Sequence, residues 1–429
     1  MIPASSSKDK LHSVWKSAEL AQRWASPRTA VLLGGAFLAV LFSGALGCSE
    51  QGQSERPGNL GGAFSVAPPA GLVAPPEQLA ETLYDWNLPP GFQTPWEPSD
   101  NPTTKEKVDL GRHLFYDKRL SGNATQSCAS CHRQELAFTD GRANGLGSTG
   151  QSHSRSSMSL ANVGYASSLT WGNPLLTHLE RQALVPLFGD APVEMGLKDQ
   201  SEIADRLAKE PRYQQLFADA FPETEDYFQL AQVTRALAAF ERTLISGRSA
   251  YDLWAYSDGE LSDAAQRGYA LFNSEKFECF HCHGGVLFSD HTHYAGKPFF
   301  EAPYHNTGLY NLDAEGSYPE PNFGIYEVTL EPRHMGRHKA PTLRNIALTA
   351  PYMHDGSLET LDDVLDHYAA GGRTIESGPH AGVGADNPYK DGLLRPIDMS
   401  EQERADVIAF LLSLTDEQFL ENPLHADPW

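Results

Sequence analysis

Cysteine and positive charge are both scarce in this sequence. It contains five cysteines in 429 residues, and 33 Lys and Arg stand against 55 Asp and Glu, which gives a formal net charge of -22. So acidic a chain disfavours nucleic acid and anionic membrane surfaces as partners. The hydrophobic fraction of 40% is that of a globular protein, and the length predicts two domains.

The N-terminus predicts export. Residues 30–47 form an uncharged apolar run that follows Arg23 and Arg28 and ends at Cys48. The letters "SGALGC" resemble a lipoprotein cleavage box, so residues 1–47 are predicted to be a lipoprotein-type signal peptide and Cys48 a lipid anchor in the periplasm. An uncleaved transmembrane anchor is the alternative. Residues 48–78, rich in Gly, Pro, Ser and Gln, are predicted to be a flexible linker.

The other four cysteines form two pairs, each followed directly by histidine. These pairs are Cys128 and Cys131 in "CASCH", before His132, and Cys279 and Cys282 in "CFHCH", before His283. Two thiols at this spacing can form thioethers to haem vinyl groups while the histidine binds the iron. A zinc site or redox disulfides would leave the repeated histidine unexplained. The sequence therefore predicts two covalently bound c-type haems, and His281 packs or faces solvent.

Similar segments precede both pairs, which predicts one cytochrome-type module used twice. Each segment is amphipathic and ends in Leu-Phe shortly before the cysteines. The predicted fold is mainly α, with two cytochrome-c-like haem domains, long loops and little β structure. We place the N-terminal haem domain at 79–258 and the C-terminal haem domain at 259–429, with Ser262 capping the next helix.

Several further motifs resemble one family. "PVEMG" at 192–196 and "PTLRNIALTAPYMHDG" at 341–356 are similar to motifs of the bacterial dihaem cytochrome c peroxidases and the MauG-like enzymes. The resemblance covers roughly residues 100–415. The stretches "RSSMSLANVGY" and "HNTGLYNLDAEGSYPEPNFGIYE" are most similar to the MbnH-like branch.

The resemblance implies roles around the first haem. Glu194 matches the acid that moves the peroxide proton, Gln182 its neighbouring amide, and Trp171 the tryptophan between the haems. No residue matches the histidine that blocks the first iron in resting peroxidases, because the surroundings of His153 differ from that motif. We therefore expect a five-coordinate, accessible first haem.

The ligand of the second haem distinguishes the subfamilies. In MauG-like enzymes it is a tyrosine fourteen residues after the histidine of the "HDG"-type motif, which places it at Tyr368 here. Thr360 and Asp363 are predicted to cap its helix, which Gly371 ends. Tyrosinate favours oxidised iron, whereas methionine favours reduced iron. Met353 and Met335 are rival ligands, although neither lies where the family's methionine does.

The family also holds a calcium ion between the haems. The resemblance implies the backbone carbonyls of Thr349 and Pro351 as ligands, together with an asparagine whose position aligns near Ser156. Asn162 is a possible substitute. Residues 311–316, "NLDAEG", mimic the start of a calcium loop but are interpreted as an ordinary loop, because Asn322 replaces the glutamate at position twelve.

The resemblance implies an exported enzyme that uses hydrogen peroxide to form a high-valent dihaem state. This state would oxidise an aromatic side chain of an exported partner protein, expected to be tryptophan, by long-range electron transfer. Phe277 replaces a tryptophan on the MauG route, so Trp254 and Tyr256 are alternative relay residues. Two other functions stay open: a peroxidase supplied by a small cytochrome or cupredoxin, and a dihaem electron carrier.

Overall fold

Short helices form most of the regular structure. The computed structural model describes residues 84–429, so the predicted signal peptide, lipid site and linker lie outside the described residues. The α-helices of this part are α1 (Lys105–Tyr116), α2 (Leu179–Gln182), α3 (Leu184–Phe188), α4 (Ser201–Leu207), α5 (Pro211–Ala220), α6 (Leu230–Arg242), α7 (Ala250–Tyr256), α8 (Asp263–Phe272), α9 (Tyr326–Thr329), α10 (Leu361–Ala369), α11 (Glu401–Leu412) and α12 (Glu417–Leu420).

Strands are few and short. Antiparallel strands β1 (Tyr304–His305) and β2 (His338–Lys339) form one two-stranded sheet, and β3 (Thr374–Ile375) and β4 (Gly382–Val383) form another. Long irregular segments connect the elements. The prediction of a mainly α fold with little β structure is confirmed.

A helix pair packs beside the first cysteine pair. Helix α1 begins after Thr104, whose hydroxyl accepts a hydrogen bond from the Lys107 amide. It crosses α6 at Gly111, where an added Cβ would lie 2.0 Å from the carbonyl oxygen of Ala236. Only glycine allows so close a backbone approach. The crossing fixes the position of the loop that carries Cys128.

A second helix pair repeats this arrangement before Cys279. Ser262 caps α8, as predicted, by accepting a hydrogen bond from the Ala265 amide. Helix α8 crosses α11 at Gly268, where an added Cβ would lie 1.8 Å from the Asp406 carbonyl oxygen. The two Leu-Phe sequences, Leu114-Phe115 and Leu271-Phe272, lie near the C-terminal ends of α1 and α8.

Two main hydrophobic cores correspond to the two helix pairs. The first contains Leu114, Phe115 and Phe240, and the second contains Phe272, Phe288 and Phe410. The cores exchange chain segments: Tyr251 of α7 packs in the second, and Phe419 of α12 packs in the first. All described residues belong to one compact unit. The division at residue 258 stays a prediction.

Within residues 84–429, no helix is both long and apolar enough to cross a bilayer.

Candidate haem sites and the residues between them

Both cysteine pairs adopt the same local structure. Cys128–Ser130 and Cys279–His281 each form a single 3-10 turn, and all four thiols are free. Burial raises the pKa of the Cys131 thiol to about 11 and that of Cys279 to about 12. Four unpaired thiols, two before each histidine, are therefore available for thioether bonds.

The two histidines after the pairs are oriented alike. The Nδ1 atom of His132 donates to the carbonyl oxygen of Phe138 at 2.9 Å, and that of His283 donates to the carbonyl oxygen of Phe288 at 3.1 Å. Burial lowers the pKa of both imidazoles, which favours the neutral form. Each ring therefore keeps its Nε2 atom available to a metal, in the tautomer that iron ligation requires.

Buried polar atoms without partners provide a second test of haem binding. The imidazoles of His338 and His354 stack with centroids 3.6 Å apart, and their Nε2 atoms are buried without a hydrogen-bond partner. Both ring nitrogens of buried His367 also lack a partner. Native proteins rarely leave such atoms unsatisfied unless another group completes the site. Together with the free thiols and the oriented histidines, these atoms fit two haem c groups.

Trp171 lies between segments of the two predicted domains. Its indole Nε1 donates to the Ser156 carbonyl oxygen at 3.0 Å, and its own carbonyl oxygen accepts from the Lys339 amide at 2.9 Å. Trp171 lines a cavity together with Met158 and Pro341. Trp171 therefore contacts both predicted domains, its indole through Ser156 and its backbone through Lys339.

The predicted calcium ligands line this same cavity. Thr349, Pro351, Ser156 and Asn162 all lie along its wall. The Asn162 side chain is already bonded, however, since its amide nitrogen donates to the Ser246 carbonyl oxygen at 2.9 Å and its oxygen accepts from the Ser246 amide at 3.0 Å. The calcium assignment stays a prediction.

The candidate acid Glu194 is held by a hairpin. Gln151 accepts a hydrogen bond from the Val193 amide at 3.1 Å, and the Ser148 amide donates to the Glu194 carbonyl oxygen at 2.7 Å. An added Cβ on Gly147 would lie 1.7 Å from the Val193 carbonyl oxygen. The backbone of residues 145–153 therefore packs in direct contact with the backbone of the "PVEMG" loop.

The hairpin brings His153 to Glu194. The His153 Nδ1 atom lies 3.6 Å from the Glu194 Oε1 atom, and its Nε2 atom is buried without a partner. Burial raises the pKa of Glu194, and His153 opposes this shift. The Glu194 side chain keeps 38% of its surface exposed, so water reaches it from one side. The sequence did not predict this contact, because the surroundings of His153 differ from the blocking-histidine motif of the peroxidases.

Gln182 occupies the neighbouring chain segment. It ends α2, and α3 follows it, where the Pro186 carbonyl oxygen accepts a hydrogen bond from the Met195 amide at 2.9 Å. This bond brings the "PVEMG" loop beside the segment that contains Gln182. Within residues 84–429, the Gln182 side chain makes no hydrogen bond to Glu194.

Tyr368 lies beside the second cysteine pair. It is on α10, which begins with the predicted capping box of Thr360 and Asp363. Burial raises the pKa of its hydroxyl, and the neighbouring Cys282 and Cys279 thiols raise it further. The rival ligands Met335 and Met353 pack instead in a separate cluster around Tyr310.

His305 is a site residue that the sequence reasoning missed. Its ring nitrogens are 2.7 Å from an Asp290 oxygen and 2.8 Å from an Asp391 oxygen. Burial lowers its pKa, but the two carboxylates outweigh this and raise it to about 12. The ring also lies near Cys282. The partners are 15 and 86 residues away in sequence, so spacing gave no signal.

Two oriented histidines and four free thiols define a c-type dihaem protein, and comparison with known proteins gives the same class. A family profile described as di-haem cytochrome c peroxidase matches residues 105–260. Cytochrome-c peroxidase IdrP1 of Denitromonas iodatirespirans is 36% identical over 346 residues, covering 77% of this chain and 86% of the relative. MauG of Methylorubrum extorquens is 33% identical over 365 residues, covering 83% and 92%.

Solved structures show the same similarity. The crystal structure of a MauG-like protein associated with microbial copper homeostasis is 50% identical, has a TM-score of 0.80, and is matched over 81% of this chain and 99% of its own. The diheme peroxidase BthA of Burkholderia thailandensis shares the fold, with a TM-score of 0.59 at 20% identity and coverage of 79% and 95%.

This chain belongs to the di-haem cytochrome c peroxidase and MauG family. It is accordingly an oxidoreductase that acts with hydrogen peroxide and carries two haem c groups.

Proposed function

We propose that this protein uses hydrogen peroxide to oxidise an aromatic side chain, a tryptophan, of an exported partner protein by long-range electron transfer. The observation that carries the proposal is the position of Tyr368 beside the Cys282 and Cys279 thiols. When bound, the haem pair would supply the oxidising equivalents taken from peroxide. The division of work follows the predicted domains, with 79–258 reacting with peroxide and 259–429 transferring electrons.

Glu194 is the proton carrier of the first site. A carboxylate that takes a proton from the inner peroxide oxygen and returns it to the outer one allows the O–O bond to break. Its half-exposed side chain can exchange protons with water, and partial burial keeps its pKa above the ordinary value. Gln182 and Trp171 complete this site, Gln182 as a hydrogen-bonding amide and Trp171 as the indole between the haems.

Tyr368 is the second ligand of the other iron. Without a ligand the buried hydroxyl stays neutral, because burial and the neighbouring thiols raise its pKa. Ferric iron would favour loss of this proton, just as metals favour the deprotonated form of their ligands. An anionic oxygen ligand favours the oxidised metal. The second haem would therefore store oxidising equivalents and stay closed to peroxide.

The sequence supports export, and one relative supports a setting in copper homeostasis. The 50% identical MauG-like protein is associated with microbial copper homeostasis, and we extend this setting to the present chain. The N-terminal signal and Cys48 would place the protein in the periplasm on a lipid anchor. A calcium ion held by Thr349 and Pro351 together with the segment of Ser156 would connect the two halves.

Peroxide reduction with electrons from a small cytochrome or cupredoxin is the second candidate function. It is favoured by the 36% identical relative, which is named a cytochrome-c peroxidase. This function needs no stored oxidising equivalents, so it would operate with any ligand on the second iron.

Addition of one equivalent of hydrogen peroxide to the oxidised, haem-loaded protein tests the proposal. We expect new haem absorption bands that persist without a donor and disappear when a tryptophan-containing partner is added. Bands that decay at once and last no longer in the native protein than in Tyr368→Phe would favour the ordinary peroxidase. Two closed haems without any reaction would indicate an electron carrier.

A further inference from the structure

An aromatic cluster connects the surface to the second haem site. It consists of Trp254 and Tyr251 on α7 and Tyr269 on α8. The ring centroids of Trp254 and Tyr269 are 5.8 Å apart, those of Tyr269 and Tyr251 are 5.5 Å apart, and those of Trp254 and Tyr251 are 6.1 Å apart. Each ring therefore contacts the other two, within the range of aromatic pairs.

The inner end of this cluster lies one residue away from His283, the candidate iron ligand. The Tyr251 ring is 4% exposed and packs edge-on against Phe288 with centroids 5.2 Å apart. The carbonyl oxygen of Phe288 accepts the hydrogen bond from His283 Nδ1 at 3.1 Å. One residue therefore separates the Tyr251 ring from the histidine that faces the second haem.

The outer end of the cluster reaches solvent. Trp254 and Tyr269 are both half-buried, and Leu253 beside Trp254 is 43% exposed. Phe277, by contrast, is 3% exposed and its phenyl ring is hard to oxidise. Tyr256, the other candidate relay, lies with its ring against Gly91. Trp254 and Tyr269 are thus oxidisable side chains that join this core to the surface, and Trp254 is the tryptophan of the two.

The cluster is held rigidly in place. Asp252, between Tyr251 and Trp254, accepts hydrogen bonds from both terminal nitrogens of Arg344 at 2.8 and 2.9 Å. Asp252 also completes the capping box with Ser249 at the start of α7. The Arg344 guanidinium lies 5.7 Å from the Phe288 ring centroid. One ion pair therefore fixes α7 relative to the residue that contacts His283.

We propose that electrons reach the second haem through Trp254 and Tyr251, with Tyr269 supporting the pair, so that the oxidised partner residue docks over Trp254. This inference rests on the proposed function and adds the route and the docking point. Tryptophan and tyrosine lose single electrons far more readily than phenylalanine, which makes this cluster a better route than Phe277.

Hydrogen peroxide takes up two electrons and two protons and becomes two water molecules. Without a partner, Trp254 supplies both electrons slowly as the haem absorption bands fade, gains an oxygen atom from water and releases two protons. The net reaction converts tryptophan and hydrogen peroxide to hydroxytryptophan and water. With a partner bound, the partner's side chain supplies both electrons, and Trp254 passes them on one at a time without gaining oxygen.

Peroxide treatment without a partner tests the route. The full-length, haem-loaded protein is given one equivalent of hydrogen peroxide, and its peptides are mapped by mass spectrometry. We expect one added oxygen at Trp254 in the native protein, and we expect Tyr251→Phe to lower this oxidation about tenfold while haem content is unchanged. Trp96→Phe is the matched control, because Trp96 is also half-buried but stacks on His293, away from this core.

The outcomes separate the route from the proposed function. Oxygen added equally at Trp96 and Trp254, or at Trp254 independently of Tyr251, would overturn the route while the haem absorption bands form normally. If peroxide leaves the haem absorption unchanged, the proposed function fails and the route fails with it. Loss of Trp254 oxidation in Tyr251→Phe but not in Trp96→Phe supports the route.

Discussion

The two cysteine-pair regions share a local structure and differ in what faces it. Both have a 3-10 turn over the pair, a histidine whose Nδ1 donates to a carbonyl oxygen, and a helix pair that crosses at a glycine. Beside the first pair lies the half-exposed carboxylate of Glu194. Beside the second lies the buried hydroxyl of Tyr368.

This difference shows how one binding scaffold can serve two chemical tasks. The turn and helix pair fix a haem, but the residues that face the scaffold come from distant segments. A titratable group that water can reach suits proton transfer, whereas a buried oxygen suits iron ligation. Two segments supply these facing residues: the "PVEMG" loop, which the hairpin at 145–153 holds, and helix α10.

The largest expected effect is on the first site. Glu194→Gln removes the proton carrier while keeping the shape of the side chain, so we expect the reaction with peroxide to slow about 10²- to 10⁴-fold. Stopped-flow absorption of the haem-loaded protein measures this rate. Glu194→Asp is the control, since it keeps a carboxylate and should recover part of the rate. Native-like kinetics in Glu194→Gln would remove Glu194 from the mechanism.

The next prediction compares two buried arginine ion pairs. Arg242 pairs with Glu180 inside the first predicted domain, whereas Arg344 pairs with Asp252 and joins the two predicted domains. Asp252→Ala leaves a fully buried guanidinium charge unpaired, so we expect a loss of about 3 to 5 kcal/mol in the free energy of unfolding.

Glu180→Ala is the matched variant in the first half. Its loss should be smaller, because the Glu180 side chain is 16% exposed and water can partly replace it, whereas Asp252 is 3% exposed. Urea unfolding of the haem-loaded proteins measures both values. Equal losses would show that the two pairs are equally shielded from water.

Tyr368→Phe tests the proposed ligand of the second haem iron. Removal of the anionic ligand should raise the reduction potential of the second haem by about 60 mV or more, which corresponds to at least a tenfold change in its redox equilibrium. Spectroelectrochemistry measures this potential. Tyr352→Phe is the control, since the Tyr352 hydroxyl donates to the Ile346 carbonyl oxygen. An unchanged potential in Tyr368→Phe would mean that another group ligates the iron.

The local features of the fold could be read from the sequence. The cysteine pairs, the Ser262 cap and the Thr360 capping box depend on residues a few positions apart, and the structure has each of them. The contacts of His305 with Asp391 and of Trp171 with Lys339 join segments far apart in the chain. No periodicity specifies such pairs, because they arise only when the two halves pack.

The smallest expected effect concerns the contact between His153 and Glu194. The two side chains are 3.6 Å apart and partly exposed, so their interaction is worth about 1 kcal/mol, or less than one pKa unit. Since His153 lowers the pKa of Glu194, His153→Gln should raise it. Glu194 must be ionised to accept the peroxide proton, so the acidic limb of the rate profile should move to higher pH.

The rate at high pH distinguishes a positioning role from a structural one. Glu194 is ionised in both proteins at high pH. The substitution also leaves Asp140 and Arg142, the charged neighbours of Cys131, unchanged. The rate of His153→Gln should therefore converge with the native rate. His178→Gln, which changes a ring that packs edge-on against Trp96, should leave the profile unshifted. A rate that falls equally at every pH would mean that His153 only supports the hairpin, and an unshifted profile would mean that its charge does not reach Glu194.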